Sequence, residues 1–459
     1  MEPSKSKPAS AEFNRREFIQ NAASFGALMA LMGGVPLHAE EKPPEGAPTK
    51  YSTVSAPVNC AVIGCGPWGR EILQTLSRLP NAPVVAVCDT YESALRRGKE
   101  GAPAAEGFTD YQKVLDKKEV QAVIVATPPH LHREIVVAAL AAGKHVYCEA
   151  PLAVSVEDAR AIAQAAKASP KVNFQAGLQT RSDPQRHFLI PFIRSGAAGK
   201  NIMARAQWNK KECWRRPAAN PEREKAINWR LSSATSAGLV GEVGIHQLDM
   251  VNWLFDRRPL AVSGSGGVLN WKDGRDVADT IHAVYEYADG VNFFQSCTLA
   301  NSFDGGYEVL YGTDSAVMMR GSKAWLFKEV DSPLLGWEVY ARKEQFHQET
   351  GIALVANASK LPPAPKPGEA PPAEITPLQH ALAAFVTNSG VVGKGVEDFT
   401  ANYGDDVDSL REYIAGLAKS RRPAAGYIEG LEATIIALKT NEAIVKGQRI
   451  VLAKEWFEV

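Results

Sequence analysis

One short glycine pattern constrains this chain more than anything else in it. An apolar run, Val58–Ile63, leads into Gly64-Cys65-Gly66-Pro67-Trp68-Gly69, and an amphipathic stretch, Gly69–Arg78, follows. A second apolar run, Val84–Val87, ends at Asp89, twenty residues beyond Gly69. Each part has a mechanical reason. Gly64 permits a tight turn, Gly66 lets backbone approach a pyrophosphate, and Gly69 allows close helix–strand packing. Pro67 and Trp68 complete the loop and count among its ligand-contacting residues. The helix that starts here offers unpaired N–H groups and the positive end of its dipole to phosphate. Asp89 is placed to accept hydrogen bonds from ribose hydroxyls, and its charge repels a 2′-phosphate. The pattern therefore predicts a bound dinucleotide and favours NAD over NADP.

The alternation continues past this unit. Apolar runs at Ala122–Ala126, Val146–Cys148 and Val172–Gln175 are separated by helical candidates such as His132–Ala142 and Ser155–Ala168. Such alternation implies a parallel, doubly wound sheet. Thr127-Pro128-Pro129-His130-Leu131-His132 follows a strand, so it lies at the carboxyl end of the sheet, where ligands bind in such folds. Thr127, Pro128 and His132 are the cofactor-lining candidates there, with His132 as a packing residue the competing reading. After Asp183 the texture changes. Longer alternating runs at Met203–Trp208, Ala261–Leu269, Thr280–Tyr287, Val291–Leu299 and Ala316–Met319 read as a largely antiparallel sheet. Asp289-Gly290 marks a hairpin between two of them. Leu361–Pro377 is a proline-rich loop, and Tyr427–Lys446 is strongly helical.

The N-terminus reads as an address. Asn14-Arg15-Arg16-Glu17-Phe18-Ile19-Gln20 precedes a weakly apolar run, Ala22–Val35, and a small-residue exit at Ala39. This order resembles a twin-arginine export signal over residues 1–39, with a linker over 40–57. Export through that machinery implies a periplasmic or otherwise exported protein that folds, and loads any cofactor, before it crosses. The six cysteines are too sparse for a disulfide framework, and Cys60, Cys88 and Cys148 sit in core-strand runs. With 51 basic and 51 acidic side chains the formal net charge is zero, which gives no bulk drive toward nucleic acid.

Taken in order, these segments resemble the Gfo/Idh/MocA oxidoreductases from about Val58 to the C-terminus. The likeness rests on the glycine loop, the Thr127–His132 segment, Gly143–Leu152, Gly177–Arg181, Glu242–Asp249 and Ile428–Thr434. It implies an N-terminal Rossmann dinucleotide-binding domain over 58–178. Residues 179–459 would form a C-terminal α/β domain with a large, mainly antiparallel open-faced sheet, and a last helix returning to the first domain. It also implies a bound NAD, a small carbohydrate or polyol substrate between the domains, and a homo-oligomer formed through the open face; export, away from any free NAD pool, adds the expectation that the cofactor is tightly held. Glu149 belongs to the family's Glu-Lys-Pro motif, and its role there is at the cofactor. Here the motif is Glu149-Ala150-Pro151, so the lysine that hydrogen-bonds the reacting oxygen is missing.

His246 is then the leading acid/base, since an imidazole titrates near neutrality. Glu242, at i−4, is expected to orient or charge-stabilise the ring, and Asp249, at i+3, is a second neighbour and substrate contact. The competing reading of His246 is a packed core histidine. Arg181 either holds substrate or bridges the domains. Lys210 and Lys211 end a strand and point to opposite faces, so one of them, Lys211, is the candidate for the cleft against a solvated strand end. Trp229, near Trp208 and Trp214, offers a ring platform for a sugar, as against a core tryptophan. No run of residues has metal-ligand spacing. Three activities fit these features. The first is hydride transfer between NAD and a sugar or polyol hydroxyl. The second is redox-neutral glycoside cleavage through transient oxidation, as in glycoside hydrolase family 109. The third is an inactive, NAD-retaining sugar binder.

Overall fold

Strands β1 (Cys60–Ile63), β4 (Ala122–Val125) and β5 (His145–Cys148) are buried at every residue. A strand covered on both faces must be apolar along its whole length, and the faces of this sheet are covered by helices. Together with β2 (Val84–Cys88), β3 (Glu106–Phe108) and β6 (Phe174–Ala176) they form a six-stranded sheet in the order β3-β2-β1-β4-β5-β6. All neighbours are parallel. The order reverses between β1 and β4, which opens a crevice beyond their carboxyl ends. The computed structural model describes residues 56–334, 338, 343–346, 349–354 and 375–459. The arginine pair and the rest of residues 1–39, nearly all of the linker, and the prolines from Pro362 to Pro372 lie outside the described residues.

Part of the cover for this sheet comes from far along the chain. Helix Pro377–Tyr403 packs Leu378, Leu382, Phe385 and Val386 against Ile72, Leu76 and Tyr147. The Tyr147 and Phe385 rings meet edge-on at 5.7 Å. Helix Tyr427–Lys446 approaches β6 so closely that a Cβ on Gly430 would lie 2.7 Å from the Ala176 methyl.

Among the described residues the second sheet holds ten strands. They are β7 (Asn201–Asn209), β8 (Ala261–Gly267), β9 (Thr280–Glu286), β10 (Asn292–Thr298), β11 (Gly306–Gly312), β12 (Ser315–Arg320), β13 (Lys323–Lys328), β14 (Lys343–Phe346), β15 (Glu349–Leu354) and β16 (Ile450–Val451). Their order is β14-β15-β13-β12-β11-β7-β10-β9-β8-β16. Only β7 and β10 run parallel; the other neighbours are antiparallel. Burial alternates along β9 and β10, with Ile281, Ala283, Tyr285, Phe293, Gln295 and Cys297 inside. The turn between them places Asp289 at φ 62° and Gly290 at φ 76°, the left-handed pair that a tight hairpin needs.

Two buried glutamines aim the helix that matters most, Ile245–Phe255. Gln295 Nε2 donates to Gly244 O at 2.7 Å, and Tyr285 Oη donates to Gln295 Oε1 at 2.7 Å. Gln247 Nε2 donates to Gln207 O on β7. These bonds fix the start of the helix against the sheet, so the direction of the His246 side chain is set by the second domain.

Candidate active site

The glycine turn is as tight as its sequence demands. Gly64 has φ +100°, and a Cβ there would sit 2.6 Å from Ala126 O. A Cβ on Gly69 would sit 1.8 Å from Gly64 O, inside any van der Waals contact. Gly66 differs: an added Cβ meets nothing within 4 Å, so this is the open side of the cradle. Helix Pro67–Leu76 begins with Pro67, has no side-chain cap, and has no acid in its first turn. Its positive end is left for an external anion. The Asp89 carboxylate accepts from Cys65 N and Tyr91 N, each at 2.9 Å, and so ties the end of β2 to the glycine turn. An open cradle, an uncapped helix end and an acid at the strand tip fit the pyrophosphate and ribose of a dinucleotide.

The loops after β4 and β5 form the other half of the crevice. Among the described residues, neither Thr127 Oγ1 nor Glu149 Oε1, both buried, has a hydrogen-bond partner. Orphaned buried polar atoms are rare and costly, and they suit a ligand carrying its own donors and acceptors. Burial pushes the Glu149 carboxyl up to about 7, against hydrogen bonds from the Trp68 side chain and the Ala150 N–H. Trp68, on the glycine turn, is 40% exposed.

His132 takes the packing role rather than the cofactor-lining one. It is 1% exposed. Its Nε2 lies 2.9 Å from Thr127 O, and its Nδ1 lies 3.1 Å from Pro151 O and 3.2 Å from Leu152 O. Each ring nitrogen faces a protein carbonyl, and the neutral imidazole donates its single N–H to one of them, so the residue packs between the β4 loop and the β5 loop. Burial lowers its pKa to about 4.

Above these loops stands the turn Val240–Gly244, which leads into helix Ile245–Phe255. A Cβ on Gly241 would lie 3.9 Å from Pro151 Cγ, so the turn rests against the β5 loop. The His246 imidazole, one turn further on, is half-buried and makes no hydrogen bond among the described residues. Loss of water around the ring lowers its pKa to about 4. At neutral pH it is an uncharged base with a nitrogen free to accept a proton.

Neither acid expected to support His246 does so. Glu242 accepts from Arg230 Nε at 3.3 Å, from Ser236 Oγ at 3.0 Å and from Ala237 N at 3.3 Å. Burial raises its pKa and Arg230 pulls it down. Asp249 is also claimed elsewhere. Arg181 Nε and Nη2 donate to its two oxygens at 2.9 and 2.8 Å, and the guanidinium lies 4.9 Å from the Trp253 ring centre. Their side chains are 16% and 3% exposed. Arg181 and Asp249 therefore form a packed bidentate ion pair, and the expected substrate contacts give way to a structural one. Lys211 is exposed beyond the end of β7, and no contact ties it to His246; Lys210 beside it pairs with Glu212 at 2.8 Å.

Trp229 is half-buried at the head of this corner. The Arg230 guanidinium lies 4.4 Å from its ring centre and 5.7 Å from that of Trp214. The same loop reaches the first domain, since His130 Nδ1 lies 3.2 Å from Thr235 O. Ser236 and Gln295 are neighbours of this corner that the sequence motifs do not mark, whereas Arg230 lies in the tryptophan–arginine cluster and Gln247 in the Glu242–Asp249 segment. Nothing in the local sequence of Ser236 or Gln295 marks it, because each acts through a partner distant in the chain or on another element.

Known proteins match both halves. Residues 58–177 match the model of the GFO/IDH/MocA oxidoreductase family, NAD-binding Rossmann fold, and residues 191–325 match its C-terminal domain. An inositol 2-dehydrogenase of Acidothermus cellulolyticus is 29% identical over 235 residues, covering 51% of this chain and 64% of its own. A levoglucosan dehydrogenase of Pseudarthrobacter phenanthrenivorans is 28% identical over 262 residues, covering 51% of this chain and 65% of its own. The chain thus spans less than two thirds of the length of these relatives. A solved levoglucosan dehydrogenase complex with NADH superposes with a TM-score of 0.62 at 17% identity, over 86% of this chain and 99% of that one. The two family models jointly span more than half of the sequence, the first covering the whole parallel sheet and the second β7–β12, so the chain belongs to the Gfo/Idh/MocA oxidoreductase family and its first domain is an NAD-binding Rossmann fold.

Proposed function

We propose that this protein is an oxidoreductase that moves hydride between bound NAD(H) and a hydroxyl-bearing carbon of a sugar, glycoside or polyol. The observation that carries the proposal is the uncharged His246 ring, which makes no hydrogen bond among the described residues and follows the turn that rests against the β5 loop. A nicotinamide held against those loops supplies the hydride acceptor. His246 takes the hydroxyl proton as the carbon gives up its hydride, and returns it in the reverse direction. Thr127 Oγ1 and Glu149 Oε1 are the free groups that orient what binds between the loops. Trp229, with Arg230 against it, offers an apolar ring face beside hydrogen-bond donors. Arg230 is already paired with Glu242, so the corner carries little unbalanced charge and suits a neutral sugar.

The relatives named for inositol and levoglucosan support this substrate class. The Arg15-Arg16 segment supports export in the folded state. An exported enzyme has no free NAD pool to draw on, so its cofactor stays bound and is regenerated on the protein. The outer face of the second sheet carries Phe294, Tyr307, Tyr311 and Phe327 and suits a homo-oligomer. Sedimentation of a Phe294→Arg variant checks that surface, with an unchanged oligomer counting against it. Fractionation of cells carrying Arg15→Lys/Arg16→Lys checks export, with unimpaired delivery counting against it.

To test the activity, the purified protein is denatured and the supernatant assayed for NAD(H). The native protein is then incubated with polyols and glycosides. Keto-sugar formation with reduced cofactor supports the proposal. Release of aglycone with no net redox change favours the glycosidase reading, to which Ala150, in place of the family's lysine, lends support.

A further inference from the structure

The loop after β2 is covered by a residue of the other domain. Tyr91 stands two residues beyond Asp89, and the two share a hydrogen bond through Tyr91 N. Asp89 in turn holds the glycine turn through Cys65 N. With a pyrophosphate on that turn, Tyr91 marks the adenosine end of the cleft. The guanidinium of Arg223 lies over the Tyr91 ring, with Cζ 3.7 Å from its centre. Arg223 Nε is buried with no hydrogen-bond partner among the described residues, so it keeps a donor to spare.

Arg223 belongs to helix Pro221–Ile227, which is tied down at both ends. Asn220 caps it by accepting from Arg223 N at 2.8 Å. Glu224 accepts from Arg215 Nη1 at 2.6 Å. Asn228 accepts from Arg216 N at 2.7 Å and donates to Arg216 O at 3.0 Å. The chain then runs directly into Trp229 and Arg230, which is bonded to Glu242 beside the acid/base corner. One continuous segment, 214–237, therefore reaches from the acid/base corner to the adenosine end of the cleft.

We propose that this segment is a strap over the dinucleotide, with Arg223 on Tyr91 as its latch and Arg223 as a further cofactor-binding residue contributed by the sheet domain. The proposal rests on NAD(H) occupying the cleft and explains how the cofactor is retained. Release requires the Arg223–Tyr91 stack to part, so the residence time of the cofactor depends on a domain that otherwise serves the substrate.

The test uses full-length protein loaded with NADH. Bound-NADH fluorescence is followed after a chase with excess NAD⁺, for the wild type, Arg223→Ala, Tyr91→Ala and the double variant. Arg223→Ala is expected to release NADH about tenfold faster. Tyr91→Ala should match it, and the double variant should be no faster than either, because both remove the same stack. Arg223→Lys should fall short of rescue, since an ammonium lacks the planar stacking face. Urea midpoints measured in parallel should stay unchanged, which separates release from unfolding. Wild-type release rates in Arg223→Ala, or additive effects in the double variant, overturn the latch. A wild-type protein that neither carries nor takes up NADH overturns the cofactor reading and the latch with it.

Discussion

Replacing Asp249 with Asn separates a structural ion pair from a substrate-binding one. The change keeps shape and removes charge. It leaves Arg181 with a side chain only 16% exposed and no carboxylate opposite Nε and Nη2. Removing one partner of a buried pair costs about 3–5 kcal/mol, because the remaining charge is stranded. The lower end applies here, about 3 kcal/mol, since one edge of Arg181 lines an open cleft and the Trp253 ring stays 4.9 Å away. Arg181→Met should cost a similar amount by stranding Asp249, which is 3% exposed. The double variant Arg181→Met/Asp249→Leu removes both charges and should be less damaging than either single change. Urea unfolding measures all three, with an unchanged m-value showing that only stability moved. Substrate KM in the folded double variant completes the assay and should stay close to that of the wild type. Single changes costing under about 1 kcal/mol would refute burial of the pair. A KM raised more than about tenfold in a stable double variant would return Arg181 to substrate binding.

Three further outcomes follow from the same geometry. His246→Ala should slow hydride transfer by about 100- to 10,000-fold. In the wild type, the rate of hydroxyl oxidation should stay level as pH falls from neutral and drop only as it nears the ring's pKa of about 4; a break near the ordinary histidine value counts against this. His145 offers a stability test. Its Nδ1 accepts from Asn173 N at 2.9 Å, and burial lowers its pKa to about 4. A folded-state pKa below the unfolded one means that the unfolded chain gains the proton first, so stability falls as pH drops from about 6.5 to about 4. The full loss is about 3 kcal/mol, and it should be absent in His145→Asn, which keeps an acceptor and cannot titrate. Urea midpoints of the two proteins that stay parallel across this window would contradict it. Gly69→Ala puts a methyl 1.8 Å from Gly64 O and must push the turn aside, so NADH affinity by fluorescence titration should fall at least about tenfold; wild-type affinity would show the turn to be slack.

The sequence carried the first domain because its signals are local. Gly64, Gly66, Gly69 and Asp89 each answer a constraint met within one strand–turn–helix unit, and β1, β4 and β5 had to be apolar along their full length. The hairpin at Asp289-Gly290 was legible for the same reason. The site was less so. Helical spacing placed Glu242 and Asp249 near His246, yet spacing says nothing about rival partners. Arg230 and Ser236 took Glu242, and Arg181, 68 residues upstream, took Asp249. Tertiary pairing overrode local geometry in both cases. Helix Pro377–Tyr403 escaped because its apolar residues face a sheet formed more than two hundred residues earlier, and little in its own pattern named that partner. The parallel pairing of β7 with β10 likewise joins strands separated by β8 and β9 in the chain.

The central claim is that His246 and bound NAD(H) together exchange hydride with a sugar or polyol hydroxyl. A single-turnover absorbance measurement on the protein loaded with NAD⁺ tests this, across a panel of neutral sugars and polyols and with His246→Ala alongside. At least one compound should produce the reduced-nicotinamide band in an amount matching the bound cofactor, and His246→Ala, with its NAD⁺ intact, should form the band far more slowly. A band that forms equally fast in the variant, or no band with any compound in a protein shown to hold NAD⁺, would contradict it.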